Sequence, residues 1–524
     1  MKSVLSMILG VDLRSLAAFR IGIALLLLAD LWSRSRDLMA HYTAAGVLGG
    51  SARFAGFRVA DDTGLNYQWS LHDISGNYWF QVALFLVAAF FAVWLLIGYR
   101  TQLAALISWV LLVSLQTLNP LVLSGGDVLL RCLLFWALFL PLGALASVDS
   151  RLRPPSAPLP KSVLSVASAA LLLQVCMMYM FSVVLKQHPR WMGEFTAIYY
   201  VLSLDAYVTP LGHWLLQYPE LLRVLTACTF FLEWAGPIIV FAPVANGWLR
   251  LLVVLAFWLF HVSLMLTMEL GLFALICMVA WIPFLPSCFW DTVLSRKPLR
   301  WFVDKLLTIP ARGLRQLTNL IPFQNPETPE LRLGWISSTL CATLLLYVVA
   351  WNIRESDFTY WEARLLPQES NVIGRVSGLH QRWDMFAPYP LTHDGWYEMK
   401  GTLRDGTEAN LWEPGTALPV EKPKLVSATY HNQRWRKYLL NLWSEQHREQ
   451  HRYLAGWLKR RWDQEIAAGE ESRMVAAVQI VFHLEQTPEP HEAVPEPEPV
   501  TVWTARYDNE LGTVKLSKKQ NAGK

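Results

Sequence analysis

The 524-residue chain is poor in charge: Asp, Glu, Lys and Arg make up 16% of it, whereas soluble globular proteins carry about 25%. The shortage is concentrated in apolar runs of about twenty residues, the length that a helix needs to cross a hydrocarbon core of about 30 Å. The net charge of +4 is small, and no long basic stripe occurs. The composition therefore indicates an integral membrane protein in contact with the lipid bilayer, and it excludes a nucleic-acid partner.

Cysteine is also scarce, and all six cysteines fall in or beside apolar segments. No CxxC pair and no Cys/His ligand spacing occurs, so neither a metal site nor a disulfide framework is predicted. We expect these cysteines to be small apolar packing residues. No small-residue cleavage site follows the first apolar run, which predicts that this run stays as a membrane anchor.

The apolar runs predict an all-α polytopic transmembrane bundle of about nine helices. The predicted spans are 16–32, 79–98, 102–119, 127–146, 163–185, 222–245, 249–268, 270–290 and 333–351. The eighth span is the weakest of these, since Pro283 and Pro286 interrupt it. The aromatic, nearly uncharged stretch 193–216 contains Asp205 and Pro210, and we interpret it as a re-entrant or interfacial element.

The distribution of Lys and Arg in the connecting loops predicts the orientation of the chain. Positive charge is densest between the last two spans, in a basic linker loop at residues 291–332. This bias favours a cytoplasmic N-terminus, and nine spans then place the C-terminal region outside the membrane.

Residues 352–512 have mixed charge and predict a small soluble α+β domain. Two strands, 396–403 and 407–412, flank the turn signal Arg404-Asp405-Gly406. A helical stretch is predicted at 429–466, followed by strands at 473–485 and 501–507. Residues 513–524 are predicted to be a disordered tail.

Ionisable side chains inside apolar spans are costly, so they usually face a partner or a cavity. Those within or at the edge of the spans are Arg20, Asp30, Asp127, Arg131, Lys186, Glu233 and His261. Arg20 and Arg131 are expected to pair with carboxylates between helices. Glu233 must be either protonated or paired with a cation, and His261 is either a packing residue or a catalyst. Lys186, taken alone, is either an anchor with its ammonium in water or a functional base.

The segment around Lys186 carries a family resemblance. Met178-Tyr179, Lys186 and then Trp191 resemble the segment of vitamin K-dependent γ-glutamyl carboxylase that contains the catalytic base, and Lys186 stands at the position of that lysine. Phe260-His261, followed by Gly271 and Phe273, resembles a second motif of the same family.

Further motifs widen the match to residues 10–290, which resemble the horizontally transferred transmembrane (HTTM) domain family. They include 15–20 with Asp30 in the first span and 142–149 at the end of the fourth span. In the C-terminal region, 380–388 followed by 394–396 is similar to bacterial HTTM proteins, so a multi-pass protein of the bacterial inner membrane is expected. The segment 124–127, Ser-Gly-Gly-Asp, stands where the carboxylase has an Asn-Asn-His motif.

The resemblance implies a chemistry and a site. Lys186 would be the base that deprotonates reduced vitamin K or another quinone, with Glu233 and His261 as further catalytic candidates. A lysine suits this role if a dry environment lowers its pKa from about 10.4 toward neutral. The substrate implied is a protein or peptide on the outer face of the membrane.

Two functional hypotheses follow. The first is a quinone- or lipid-dependent membrane enzyme of carboxylase-like (lyase) type. The second is a non-catalytic membrane scaffold or anchor that presents the C-terminal domain outside the membrane. Convergence of Lys186, Glu233 and His261 on one place would favour the enzyme.

Overall fold

The computed structural model of the protein describes residues 2–49, 69–152, 159–293, 334–356, 366–490, 492–493 and 495–507. The predicted basic linker loop lies outside these residues from position 294 onward, and the predicted disordered tail lies wholly outside them.

Helices dominate the described residues. The α-helices are α1 (Lys2–Leu9), α2 (Leu13–Ser35), α3 (Leu38–Tyr42), α4 (Tyr78–Ile97), α5 (Thr101–Leu118), α6 (Gly125–Ala137), α7 (Val148–Leu152), α8 (Val166–Leu185), α9 (Pro189–Met192), α10 (Ala197–Leu202), α11 (Pro210–Leu215), α12 (Pro219–Ile239), α13 (Asn246–Thr267), α14 (Phe273–Ala280), α15 (Ser287–Val293), α16 (Trp335–Arg354), α17 (Asn371–Val376), α18 (Gln433–Leu442) and α19 (His451–Arg461).

Two antiparallel sheets accompany the helices. A two-residue pair joins β1 (Val11–Asp12) to β2 (Ser162–Val163). The C-terminal sheet has the order β4-β3-β5-β6, built from β3 (His393–Leu403), β4 (Glu408–Asn410), β5 (Val475–Gln486) and β6 (Glu498–Arg506). The predicted hairpin and the two later strands are therefore confirmed.

Seven of the described helices are long and apolar enough to cross a membrane: α2, α4, α5, α8, α12, α13 and α16. A bent pair, Phe273–Phe284 with Ser287–Val293, would make an eighth span, broken by 100° at the predicted proline interruption. Only 22% of the most apolar stretch of α4 and 28% of those of α12 and α13 is buried, so these helices present apolar faces outward. Such faces are what a lipid environment requires.

The fourth predicted span is shorter than the sequence indicated. Helix α6 has only 13 residues, and turns follow it through Pro141 and Gly143. Its helical part is too short to cross a membrane alone, yet almost all of its side chains are buried by the helices around it. The predicted helix 429–466 is also divided, since α18 and α19 are separated by a 3-10 turn at Glu445–Gln450.

The two ends of α2 distinguish the two ends of the bundle. At its start, Asp12 caps the helix by accepting a hydrogen bond from the Arg14 amide, and Arg14 binds Asp291 at 2.6 Å. At its other end, Asp30 binds Arg434 of the soluble domain. The soluble domain therefore docks on the end of the bundle opposite to residue 12.

The hydrophobic core of the soluble domain continues into the bundle. Leu121 and Val122, which follow α5, and Ala206, which follows α10, belong to the same buried cluster as Trp435 and Leu439 of α18. The domain is thus packed against the helices by apolar contact as well as by charge.

Candidate functional site

Lys186 ends helix α8 and is buried. Its backbone (φ −83°, ψ 58°) leaves the helical region, and Pro189 starts the next short helix three residues later. The side chain is 3% exposed, and its ammonium lies 4.3 Å from the centre of the Trp191 ring. Lys186 is therefore not an anchor with its charge in water.

Glu233 is the partner of Lys186. It lies on α12, is 6% exposed, and its Oε2 accepts a hydrogen bond from Lys186 Nζ in a close ion pair. Of the two alternatives that the sequence left open for Glu233, the structure shows pairing with a cation. The two residues are 47 positions apart in the chain.

Tyr179 of α8 connects His261 to the helix that ends at Lys186. Its hydroxyl lies 2.7 Å from His261 Nε2 and accepts a hydrogen bond from Trp281 Nε1 at 3.1 Å. Lys186, Glu233 and His261 therefore form one neighbourhood along α8. Among the described residues, no hydrogen bond or ion pair joins His261 directly to Lys186 or Glu233.

Aromatic rings surround this neighbourhood. Phe257 stacks on Trp281 with centroids 4.3 Å apart, and Phe273 meets His261 edge-on at 6.0 Å. The His261 ring is 1% exposed, and its Nδ1 has no hydrogen-bond partner among the described residues. An unpaired buried nitrogen costs free energy unless something occupies it, so it is available to a polar atom of a ligand.

Tyr179 was missed as a site residue. It lies seven residues before Lys186, which is two helical turns and places both side chains on the same face of α8. That spacing was the available signal.

A segment of the C-terminal region, residues 380–388, packs against α8 and against Trp191, which follows it; we call it the strap. Gln174 of α8 donates to Gln381 at 2.6 Å, and Trp191 Nε1 donates to the Phe386 carbonyl at 3.0 Å. Trp383 is 1% exposed and donates to Gln381 Oε1. The strap therefore holds Trp191, and with it the aromatic face beside Lys186.

Arg20 and Arg131 do not pair with carboxylates in the described structure, contrary to expectation. Arg20 donates to the carbonyls of Leu142 at 3.2 Å and Ala146 at 2.5 Å. Arg131 donates to the Gly378 carbonyl at 2.6 Å and to that of His380 at 2.8 Å. Backbone carbonyls thus replace carboxylates as acceptors for both guanidinium groups, and Arg20 Nε has no hydrogen-bond partner among the described residues.

Four other charges form a second buried site, the interdomain ion cluster: Asp30, Arg34, Asp127 and Arg434. Arg34 binds Asp30 at 2.8 Å and Asp127 at 2.6 Å, and Arg434 binds the same two carboxylates at 2.5 and 2.7 Å. Each side chain is at most 5% exposed. Asp127 binds both arginines and so links α6 to the soluble domain.

The described residues include no group of three or more His, Cys, Asp or Glu side chains that could hold a metal ion. All six cysteines are free thiols.

No family model, curated protein or solved structure matches the chain.

Proposed function

We propose that the protein is a multi-pass membrane protein of the HTTM family and that the Lys186–Glu233 pair is its proton-transfer site. In this proposal it is a carboxylase-like enzyme that acts on a quinone or another lipid-soluble substrate. The observation that carries the proposal is the buried Lys186–Glu233 contact, with His261 bound to the same helix through Tyr179. Buried titratable groups with specific charge partners are typical of functional sites.

The pair supplies a route for the proton. A lysine can act as a base only as the neutral amine, and the Glu233 carboxylate can accept the ammonium proton within the existing hydrogen bond. The strap and the surrounding aromatic rings limit the access of water to this amine, which strengthens every electrostatic interaction inside.

Two features support a quinone as the substrate. The surroundings of His261 are aromatic and apolar, with Phe257, Phe273 and Trp281 around it, and the unpaired Nδ1 of His261 offers a hydrogen bond to an oxygen. When bound, the reduced quinone would supply the reducing equivalents and, by the family resemblance, a stronger base. A protein or peptide substrate at the outer face completes this proposal.

The test is oxygen uptake that depends on reduced vitamin K, measured on the purified full-length protein in lipid nanodiscs. We expect uptake by the wild type and its loss in Lys186→Arg, because arginine keeps the charge but cannot act as a base. Lys400→Arg is the matched control, since Lys400 binds the exposed Glu408 on the soluble domain. Equal oxygen uptake by Lys186→Arg and the wild type, or no uptake by the wild type, would refute the enzyme hypothesis.

The second candidate function is a membrane scaffold that holds its C-terminal domain in a fixed position. The interdomain ion cluster and the shared core favour it, since both fix the domain to the bundle. If the wild type binds no quinone and takes up no oxygen, the scaffold becomes the favoured function.

The proposed orientation has a cytoplasmic N-terminus and an outer soluble domain. Single cysteines at Lys161 and Glu421, both exposed and near opposite ends of the bundle, would report it in a cysteine-free background. In spheroplasts of a bacterial host, an impermeant maleimide should label position 421 and spare position 161. The reverse pattern would invert the topology.

A further inference from the structure

A cavity of about 420 Å³ lies where the bundle meets the soluble domain. Its walls include Ser33 at the end of α2, Gly271 between α13 and α14, and Tyr430, Gln433 and Arg436 from the soluble domain. This volume suits a small molecule. The cavity shares none of its lining with the Lys186 site.

Arg436 is the charged group that distinguishes this cavity. It is 4% exposed and donates to two backbone carbonyls, those of Glu269 and Ser427. Its hydrogen bonds among the described residues go to these carbonyls and not to a carboxylate, and its Nε has no hydrogen-bond partner there. Burial lowers the pKa of Arg436, which is the sign of a cation that its surroundings do not fully compensate.

A neighbouring arginine provides the contrast. Arg434, two residues earlier on α18, is buried to the same extent but binds both Asp30 and Asp127. Buried charges in proteins are normally paired, so a guanidinium whose hydrogen bonds go only to backbone carbonyls has capacity for an anion.

Tyr430 adds a second unused group. It lines the cavity, is 6% exposed, and its hydroxyl has no hydrogen-bond partner among the described residues. The Arg436 guanidinium lies 5.7 Å from the centre of its ring. A hydroxyl donor beside a guanidinium is a combination that recognises phosphate oxygens.

We infer that this cavity is an anion site that binds a phosphate group through Arg436 and Tyr430. The phosphate could belong to a soluble ligand or to the headgroup of an anionic phospholipid. Glu269 lines the same cavity with an exposed side chain, and its negative charge repels an anionic ligand.

The experiment titrates inorganic phosphate into the purified full-length protein at constant ionic strength and follows its thermal unfolding. A phosphate that binds only the folded state should raise the Tm and saturate. Loss of one charged hydrogen bond corresponds to about tenfold weaker binding, which we expect for Arg436→Gln. Tyr430→Phe should weaken binding less, and Glu269→Gln should strengthen it.

Two further variants distinguish a loss of phosphate binding from a folding defect. Ala428→Trp adds bulk at an exposed position of the cavity wall and leaves Arg436 in place, so it should block phosphate without disturbing the core. Arg452→Gln is the control, because Arg452 is exposed on α19 and contacts Tyr453.

A parallel arm identifies the source of the phosphate. Native mass spectrometry would compare retention of phosphatidylglycerol and phosphatidylcholine by the wild type and Ala428→Trp. Saturable binding of inorganic phosphate indicates a soluble ligand, and selective retention of phosphatidylglycerol that Ala428→Trp removes indicates a lipid. The site is refuted if neither occurs, or if Ala428→Trp and Arg436→Gln both match the wild type.

Discussion

The interdomain ion cluster and the Lys186–Glu233 site differ in how completely their charges are satisfied. In the interdomain ion cluster, both oxygens of Asp30 and both of Asp127 accept hydrogen bonds from guanidinium groups. At the candidate site, Lys186 has one carboxylate and one aromatic face, and His261 keeps an unpaired nitrogen. A saturated cluster fixes structure, whereas an unsaturated site retains capacity for a proton or a ligand.

The largest expected effect is on the saturated cluster. Arg434→Gln leaves two buried carboxylates with one cation, and we expect a loss of about 3–5 kcal/mol in stability. Thermal unfolding in detergent would measure it, and limited proteolysis should release the soluble domain. Adding Asp127→Asn to this variant should recover part of the loss. A stability equal to that of the exposed Arg452→Gln control would show that the cluster does not hold the domain.

A slightly smaller loss is expected at the candidate site. Glu233→Gln leaves the buried Lys186 without its carboxylate, at a cost of about 3 kcal/mol. The double variant Lys186→Met with Glu233→Gln should recover most of it. Glu220→Gln is the control on the same helix, since Glu220 is exposed and binds Arg223. If Glu233→Gln unfolds at the same temperature as that control, the ion pair does not exist in the membrane.

The link to His261 should contribute less. Tyr179→Phe removes the hydroxyl that serves His261 and Trp281, and a buried partner left unsatisfied costs about 1–3 kcal/mol. Tyr78→Phe is the control, because it removes the hydroxyl of an exposed tyrosine on α4. Equal thermal stability of the two variants would argue that Tyr179 does not bind His261.

The smallest expected effect, about 1 kcal/mol between pH 6 and pH 7, is a pH dependence at the junction between the bundle and the soluble domain. Burial raises the pKa of Asp394 to about 7 from an ordinary 3.8, although the amide of Ala206 donates to it. The folded state therefore keeps a proton that the unfolded chain has lost. The stabilisation is full below pH 3.8 and is lost as the pH rises to about 7, by at most about 1.4 kcal/mol per pH unit.

Asp394 also has charged neighbours. They are Asp205, His213, Lys422 and Glu485. Thermal unfolding of the wild type and of Asp394→Asn between pH 6 and pH 7 separates the contribution of Asp394 from that of its neighbours. Only the wild type should lose the part of its stability that depends on protonated Asp394. Identical pH profiles would contradict the shift, and the exposed Glu421→Gln should follow the wild type.

The sequence predicted the membrane-type helices because apolar runs are local patterns, and the hairpin because its turn signal is local too. It did not predict the interdomain ion cluster, since Asp30 and Arg434 are 404 residues apart and no local pattern joins them. The fourth span was overestimated because apolar residues continue past Ala137, where the backbone already turns.

The sequence identified the candidate residues individually, but it did not predict the contacts between them. Lys186 and His261 stood out by chemistry and by resemblance, and Glu233 by its cost in an apolar span. Their grouping depends on how α8, α12 and α13 pack, which hydrophobic periodicity alone does not determine. Only Tyr179 could have been added from spacing.

The difference between the two sites is tested most directly by two conservative variants, each measured for Tm and for oxygen uptake that depends on reduced vitamin K. Lys186→Arg should keep its Tm and lose uptake, because the charge remains and the base does not. Arg434→Lys should lower the Tm and keep uptake per folded protein, because lysine cannot bind both carboxylates of the cluster as a planar fork. Parallel loss of both properties in both variants, or unchanged uptake in Lys186→Arg, would contradict the account.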